Sequence, residues 1–258
     1  LISRSYIFIY EFTKFHNNIV KDKLHSIILI SMIYQFSPSE LDYKTKCSRC
    51  FYLTKRKQIS LGDFPPPVFS SFDSAQQNYF RKKKVSDLTS ELPEGKFLDK
   101  ESIPGTIISE TLKDNKDRPF YLKGRPDLVI LFDKGSYGII DFKTTNLSSD
   151  KAENYRNQLE AYAQIFTHPG KLKTKNVPKL SPITKMGVLQ FYPHSISSHK
   201  DNFSNLKLQM QYSSLKRDVK AFYLLITELI DLLSKPKVPN YSMDCNLCKF
   251  SIKQAEFE

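Results

Sequence analysis

Residues 124–145 read GRPDLVILFDKGSYGIIDFKTT, and this stretch decides the fold. Phe120–Phe132 and Tyr137–Thr144 are rich in branched and aromatic residues, which predicts two strands. Asp133-Lys134-Gly135-Ser136 between them predicts a hairpin turn. Asp127 opens an otherwise apolar run, where an unpaired carboxylate is costly. Asp141 and Lys143 stand two apart, so strand alternation puts both on one face and sends Ile140 and Phe142 to the other. Closing the hairpin brings Asp127 beside Asp141 at the sheet end. Two converging carboxylates repel unless a cation neutralises them, and Mg2+ or Mn2+ suits such hard oxygen ligands. A nearby ammonium, Lys143, can orient or deprotonate an attacking water, or counter charge on a scissile phosphate. The competing reading is a surface hairpin carrying an ordinary ion pair, disfavoured by the apolar setting and the second acid.

Downstream, Lys151–Phe166 predicts a helix with a stripe at Tyr155, Leu159, Tyr162 and Phe166, ended by His168-Pro169-Gly170. Gln158 and Tyr162 share a face of it, so Gln158 can hydrogen-bond into the acid site and the Tyr162 hydroxyl can reach a phosphate; the alternative is Tyr162 in the core with Gln158 at its boundary. Residues 169–182 predict a basic, proline-containing loop. Strands follow at Lys185–Tyr192 and about Leu206–Tyr212, then an amphipathic helix over Leu215–Leu233. Upstream, a short helix is expected from Ser37 to about Lys57, capped by Ser37 or Ser39 with Pro38 in its first turn. A second is expected from about Phe72 to Lys84, then loop over 86–104 and a strand over Thr106–Leu112. The order predicts a mixed α/β domain without internal repeats.

Four cysteines form two C-x2-C pairs, Cys47/Cys50 and Cys245/Cys248, near opposite ends of the chain. Four thiolates suit a tetrahedral zinc or an iron–sulfur cluster, stapling the ends together. Disulfides are the alternative, but no signal peptide with a cleavage site is evident to direct the chain to an oxidising compartment, and a cytoplasmic location is expected.

Across 258 residues, Lys and Arg number 39 against 27 Asp and Glu, a formal net charge of +12 that favours a polyanionic partner. The run Arg81–Lys84 is a candidate phosphate contact, although such runs are often only solvated. Apolar residues at 40% suffice for a core. The apolar runs Tyr6–Tyr10 and Ile27–Ile30 fall short of the ~20 residues of a membrane span. No Gly-x4-Gly-Lys-Ser/Thr loop occurs, which excludes a P-loop ATPase. The domain is expected to span 32–258, starting at Met32, with residues 1–31 an upstream extension that need not be native. The five histidines are scattered, none near the Asp141 strand in sequence.

The pieces GRPDLVI, IIDFKTT and QLEAYA, with SPSEL, CSRCFYL and the second cysteine pair, closely resemble the PD-(D/E)xK nuclease superfamily in its RecB-like branch. They are similar to the CRISPR-associated exonucleases and the AddB nuclease domain. The resemblance implies a restriction-endonuclease-like core (αβββαβ) and a metal-dependent DNA nuclease of repair, recombination or defence, served by any helicase as a separate partner. It makes Asp127, Asp141 and the Phe142 carbonyl metal ligands, Lys143 the catalytic lysine, and Gln158 and Tyr162 substrate-binding residues. Two features depart from it. The first helix has no His or Glu ligand, leaving Asp73 as a substitute or as a helix cap, and the cysteines divide two and two rather than one and three. The missing ligand keeps open a second reading, a catalytically inactive nucleic-acid-binding module on the same fold.

Overall fold

The computed structural model describes residues 33–41, 47–59, 67–99, 101–173, 175–200 and 202–257. The expected extension over residues 1–31 lies outside them. Strand β1 (Tyr34–Phe36) leads into a 3-10 turn (Pro38–Leu41), and α1 follows (Ser48–Lys57). Helix α2 (Pro67–Phe80) precedes β2 (Gly95–Phe97), β3 (Ile107–Ile108), β4 (Leu112–Lys113), β5 (Pro119–Gly124), β6 (Leu128–Phe132) and β7 (Tyr137–Thr144). Then come α3 (Ser149–Ala152), α4 (Arg156–Thr167), β8 (Ile183–Lys200), β9 (Phe203–Leu215), α5 (Val219–Leu233) and α6 (Asn246–Gln254).

The main sheet has the order β2-β6-β7-β8-β9. Its pairs are antiparallel except β7 with β8, which are parallel and joined through α4. The succession α2, β2, β6, β7, α4, β8 is the αβββαβ order of a restriction-endonuclease-like core. A smaller sheet sets β5 between β1, parallel, and β3 and β4, antiparallel.

The hairpin turn forms as expected, with Gly135 at φ +79°, a backbone angle that favours glycine. Strand β7 is buried on both faces. One face of the main sheet contributes Val129, Ile139 and Val188 to a core shared with Leu159, Ile165, Phe222 and Ile226 of α4 and α5. The other contributes Leu128, Ile140, Phe142, Leu189 and Phe191, closed by Phe80 at the end of α2. Phe80 meets Phe142 and Phe191 at ring-centroid distances of 5.6 and 6.0 Å, fixing α2 over the sheet.

Several expectations need correction. The helix over 37–57 is the 3-10 turn and α1, with residues 42–46 between them outside the described set. Within the turn, Ser37 N–H donates to Glu40 Oε2 at 2.8 Å, and Lys55 ion-pairs with Glu40, tying α1 to it. Helix α2 starts earlier than Phe72 and ends at Phe80. The expected loop over 86–104 contains β2, the first strand of the core, too short to show alternation.

The single strand over Phe120–Phe132 is two strands in different sheets. Pro126 lacks an N–H and restricts the residue before it, so the ladder breaks between Gly124 and Leu128. Thr106–Leu112 likewise divides into β3 and β4. Helix α4 is buried all around over 158–166 rather than along one stripe. Its Glu160, fully buried, is compensated by Arg217 at 2.6 Å and by Gln164. Strands β8 and β9 run well beyond their expected ends as a two-stranded ribbon, and α5 starts at Val219, capped by Asp218. Helix α6, which carries Cys248, was not expected.

Candidate active site and four-cysteine centre

The register Leu128↔Ile140 puts Asp127 just beyond the paired end of β6, next to β7. Its Oδ2 accepts the Phe142 backbone N–H at 2.7 Å. In extended backbone a residue's N–H and C=O point to the same neighbour, so the Phe142 carbonyl faces the same margin past the last ladder pair. Asp141 is buried. Its Oδ1 accepts from Gln158 Nε2 at 2.8 Å, and its Oδ2 lies 2.6 Å from Lys143 Nζ. The Lys143 ammonium also lies 4.8 Å from the centroid of the Tyr155 ring.

Burial pushes the Asp127 carboxyl well above its usual range, and repulsion from Asp141 and Asp73 adds to this against the Phe142 N–H. Burial also raises Asp141, outweighing the Lys143 ammonium. Two adjacent acids, one half-buried and one buried, that resist ionisation together are a donor set a hard divalent cation would satisfy.

Helix α2 supplies the second wall. Asp73 does not cap this helix; it lies inside it, in line with Gln77 and Arg81 at i, i+4 and i+8. The Gln77 amide donates to Asp73 Oδ2 and to Asp127 Oδ1, both at 3.0 Å. Arg81 Nη2 donates to the Asp127 carbonyl at 2.8 Å. One arm of the Arg81 guanidinium is thus engaged behind the acid, while its Nε and Nη1 have no hydrogen-bond partner among the described residues. The sequence pattern alone does not pair Gln77 or Arg81 with Asp127, although the four-residue spacing from Asp73 is a usable signal. A cleft of about 360 Å³ opens here, lined in part by Asp73, Gln77, Arg81, Asp99, Arg125 and Asp127.

Tyr162 stands against the bend before Asp127. It is buried, and its hydroxyl donates to the Arg125 carbonyl at 2.7 Å. That bond holds the bend before Asp127. Gly124 sits at the same bend, where an added Cβ would come within 2.6 Å of the Pro38 ring.

A family model that spans the core strands, their helices and this acidic margin matches residues 68–252. The chain belongs to the PD-(D/E)XK nuclease superfamily. Members of this superfamily are generally nucleases that use divalent metals. A solved structure titled "Crystal structure of SSO0001" is similar at 15% identity, covering 91% of this chain and 95% of that one with a TM-score of 0.47. No curated protein matches the chain.

The four cysteines, two pairs far apart in sequence, meet in one cluster. Cys47 is the N-cap of α1 and accepts from the Cys50 N–H; Cys245 is the N-cap of α6. All four are free thiols, with sulfurs within 4.8 Å of one another. Cys47 to Cys248 and Cys50 to Cys245 are both 3.6 Å. Burial raises the Cys47 and Cys50 thiols, whereas the Cys248 backbone N–H helps to hold Cys245 down to about 7. Tyr52 donates to the Lys235 carbonyl and Arg49 to the Pro239 carbonyl, both at 2.9 Å, so α1 also grips the segment leading to α6. A tetrahedral ion with metal–sulfur bonds of about 2.3 Å has sulfur–sulfur edges of roughly 3.8 Å. The observed spacing fits a single metal ion. Among the described residues, no helix is long and apolar enough to cross a membrane.

Proposed function

We propose that this chain is a metal-dependent deoxyribonuclease of the RecB-like type, hydrolysing phosphodiester bonds in DNA repair, recombination or defence. The observation that carries the reading is the Asp127–Asp141 pair at a sheet margin, the first half-buried and the second buried, with Lys143 2.6 Å from an Asp141 oxygen. Asp127, Asp141 and the Phe142 carbonyl would hold Mg2+ or Mn2+, with Asp73 on α2 as a further acid at the same cleft. The bound cation supplies Lewis acidity and a lowered pKa for water.

The chain's own groups do the positioning. Gln158 fixes the rotamer of Asp141, and the Gln77 amide aligns Asp73 with Asp127. Lys143, beside both acids, donates hydrogen bonds to the attacking water or to the non-bridging phosphate oxygens as negative charge builds there. The net charge of +12, with exposed Lys82, Lys83 and Lys84, supports a polyanionic substrate.

At the cysteine centre we infer zinc rather than a four-iron cluster. A cluster binds each thiolate through a separate iron and spreads the sulfurs farther than a single ion does. Four free thiols fit a reducing, cytoplasmic setting, and any helicase would act as a separate partner.

Digestion of end-labelled single- and double-stranded DNA in Mg2+ or Mn2+ by wild type and by Lys143→Ala tests the function. Cleavage by wild type alone, with DNA binding retained in the variant, is expected. Binding without cleavage by wild type in either metal would select the catalytically inactive module instead.

A further inference from the structure

A second concavity of about 820 Å³ adjoins the acid cleft, and Arg125 lines both. Its wall presents Lys123, Arg125, Lys171 and Lys173, with no acidic residue in the lining. All four are exposed, and none forms an ion pair among the described residues. Lys123 stands on β5, paired with Ile108 of β3. The lysine-bearing segment after α4 is clamped to β3 on both sides of Ser109. The Gly170 N–H donates to the Ile108 carbonyl at 2.8 Å, and the Glu110 N–H donates to the His168 carbonyl at 2.9 Å. Ser109 pairs with Pro169, and Lys171 pairs with Asn176 to close the loop. The cations are therefore mounted on sheet-anchored backbone. Ile108 and Leu172, both half-buried, add an apolar surface beside them. Arg125 is anchored too: its carbonyl is held by Tyr162, and its Nε donates to Thr106 at 3.3 Å.

We propose that this groove binds the sugar–phosphate backbone of one DNA strand and delivers it past Arg125 into the acid cleft. The proposal rests on the nuclease reading for the identity of its polymer. A cationic rail beside an apolar surface suits phosphates on one side and sugars or bases on the other, without reading sequence. Continuity through Arg125 sets the direction: phosphates leaving the Asp127 margin meet Arg125 first, then Lys123, Lys171 and Lys173. The basic loop over 169–182 thereby has a specific task that net charge alone does not give it.

The test is equilibrium binding of a fluorescein-labelled oligothymidylate of about 20 nucleotides, followed by anisotropy without divalent metal over a salt series. The double variant Lys171→Ala/Lys173→Ala changes two exposed side chains. Each lost phosphate contact lowers the slope of log K against log salt by about 0.7 for a single strand, so a flattening of roughly 1.4 is expected, with affinity about tenfold weaker at low salt. Lys249→Ala/Lys253→Ala on α6 removes the same net charge elsewhere and is expected to leave affinity within about twofold. Equal weakening by both pairs, or no weakening by the first, would overturn the groove. Hydrolysis of bis(p-nitrophenyl) phosphate by wild type with Mn2+ reports on the chemistry separately. If it fails while the salt slopes behave as expected, the nuclease reading falls and the strand groove stands.

Discussion

Adding Mg2+ should stabilise the protein strongly at high pH and hardly at all at low pH. A carboxyl whose pKa is raised by folding costs stability when it ionises. Asp127 and Asp141 are both raised, by burial first, and Asp127 also by the charge of Asp141. The contribution of these two groups in metal-free protein is therefore best below the unfolded carboxylate value of about 4 and is lost as pH rises through the raised folded values. A cation that needs both carboxylates ionised reverses this, binding more tightly as pH rises. At about one hundred times Kd, mass action contributes ~2.7 kcal/mol. For a chain of this size ~1 kcal/mol moves Tm by about 2–4 °C, so a rise of roughly 5–10 °C is expected. Scanning fluorimetry at about pH 5 and about pH 8, with and without Mg2+, measures it for wild type and Asp141→Asn. Asp141→Asn should raise the metal-free Tm at the higher pH and abolish the response to Mg2+. An equal Mg2+ shift at both pH values, or in the variant, would refute the shared acidic site.

Other outcomes follow from individual contacts. Gln158→Leu removes the 2.8 Å bond to Asp141, a hydrogen bond to a charged group; at about 1.5–3 kcal/mol it should slow cleavage roughly 10- to 100-fold with DNA affinity little changed, as single-turnover rates would show. Arg217→Ala strands the buried Glu160, and denaturant unfolding should register a loss of about 3 kcal/mol. Cys248→Ser opens the four-sulfur centre, so metal analysis should find less than one equivalent of zinc and the Tm should fall, whereas retention of a full equivalent would place the metal elsewhere.

Much of the acidic site can be read along the chain because β7 obeys strict alternation. Asp141 and Lys143 share a face whatever the surroundings, and a short hairpin with Gly135 at its turn leaves few registers that place Asp127 elsewhere. The C-x2-C spacing likewise marks two half-sites. Sequence was less informative where packing outweighed local pattern. Strand β2 has three residues and is defined by its edge pairing with β6, so no periodicity announced it. The run over Phe120–Phe132 looked continuous because branched residues fill both halves, yet Pro126 sends the two halves to different sheets.

By itself the sequence determined the alternating strands, the hairpin and the identities of the acids, lysine and thiols, all properties of residue type and near-neighbour spacing. Tertiary structure decided which long-range partners those groups meet. Phe80 against Phe142 and Phe191 brings Asp73, Gln77 and Arg81 over Asp127. The bend at Arg125 spends the Tyr162 hydroxyl on backbone. The packing of α1 against the segment before α6 gathers four sulfurs from the two ends of the domain. Such contacts join residues far apart in the chain, and their geometry is set by how buried surfaces fit together, which no local pattern encodes.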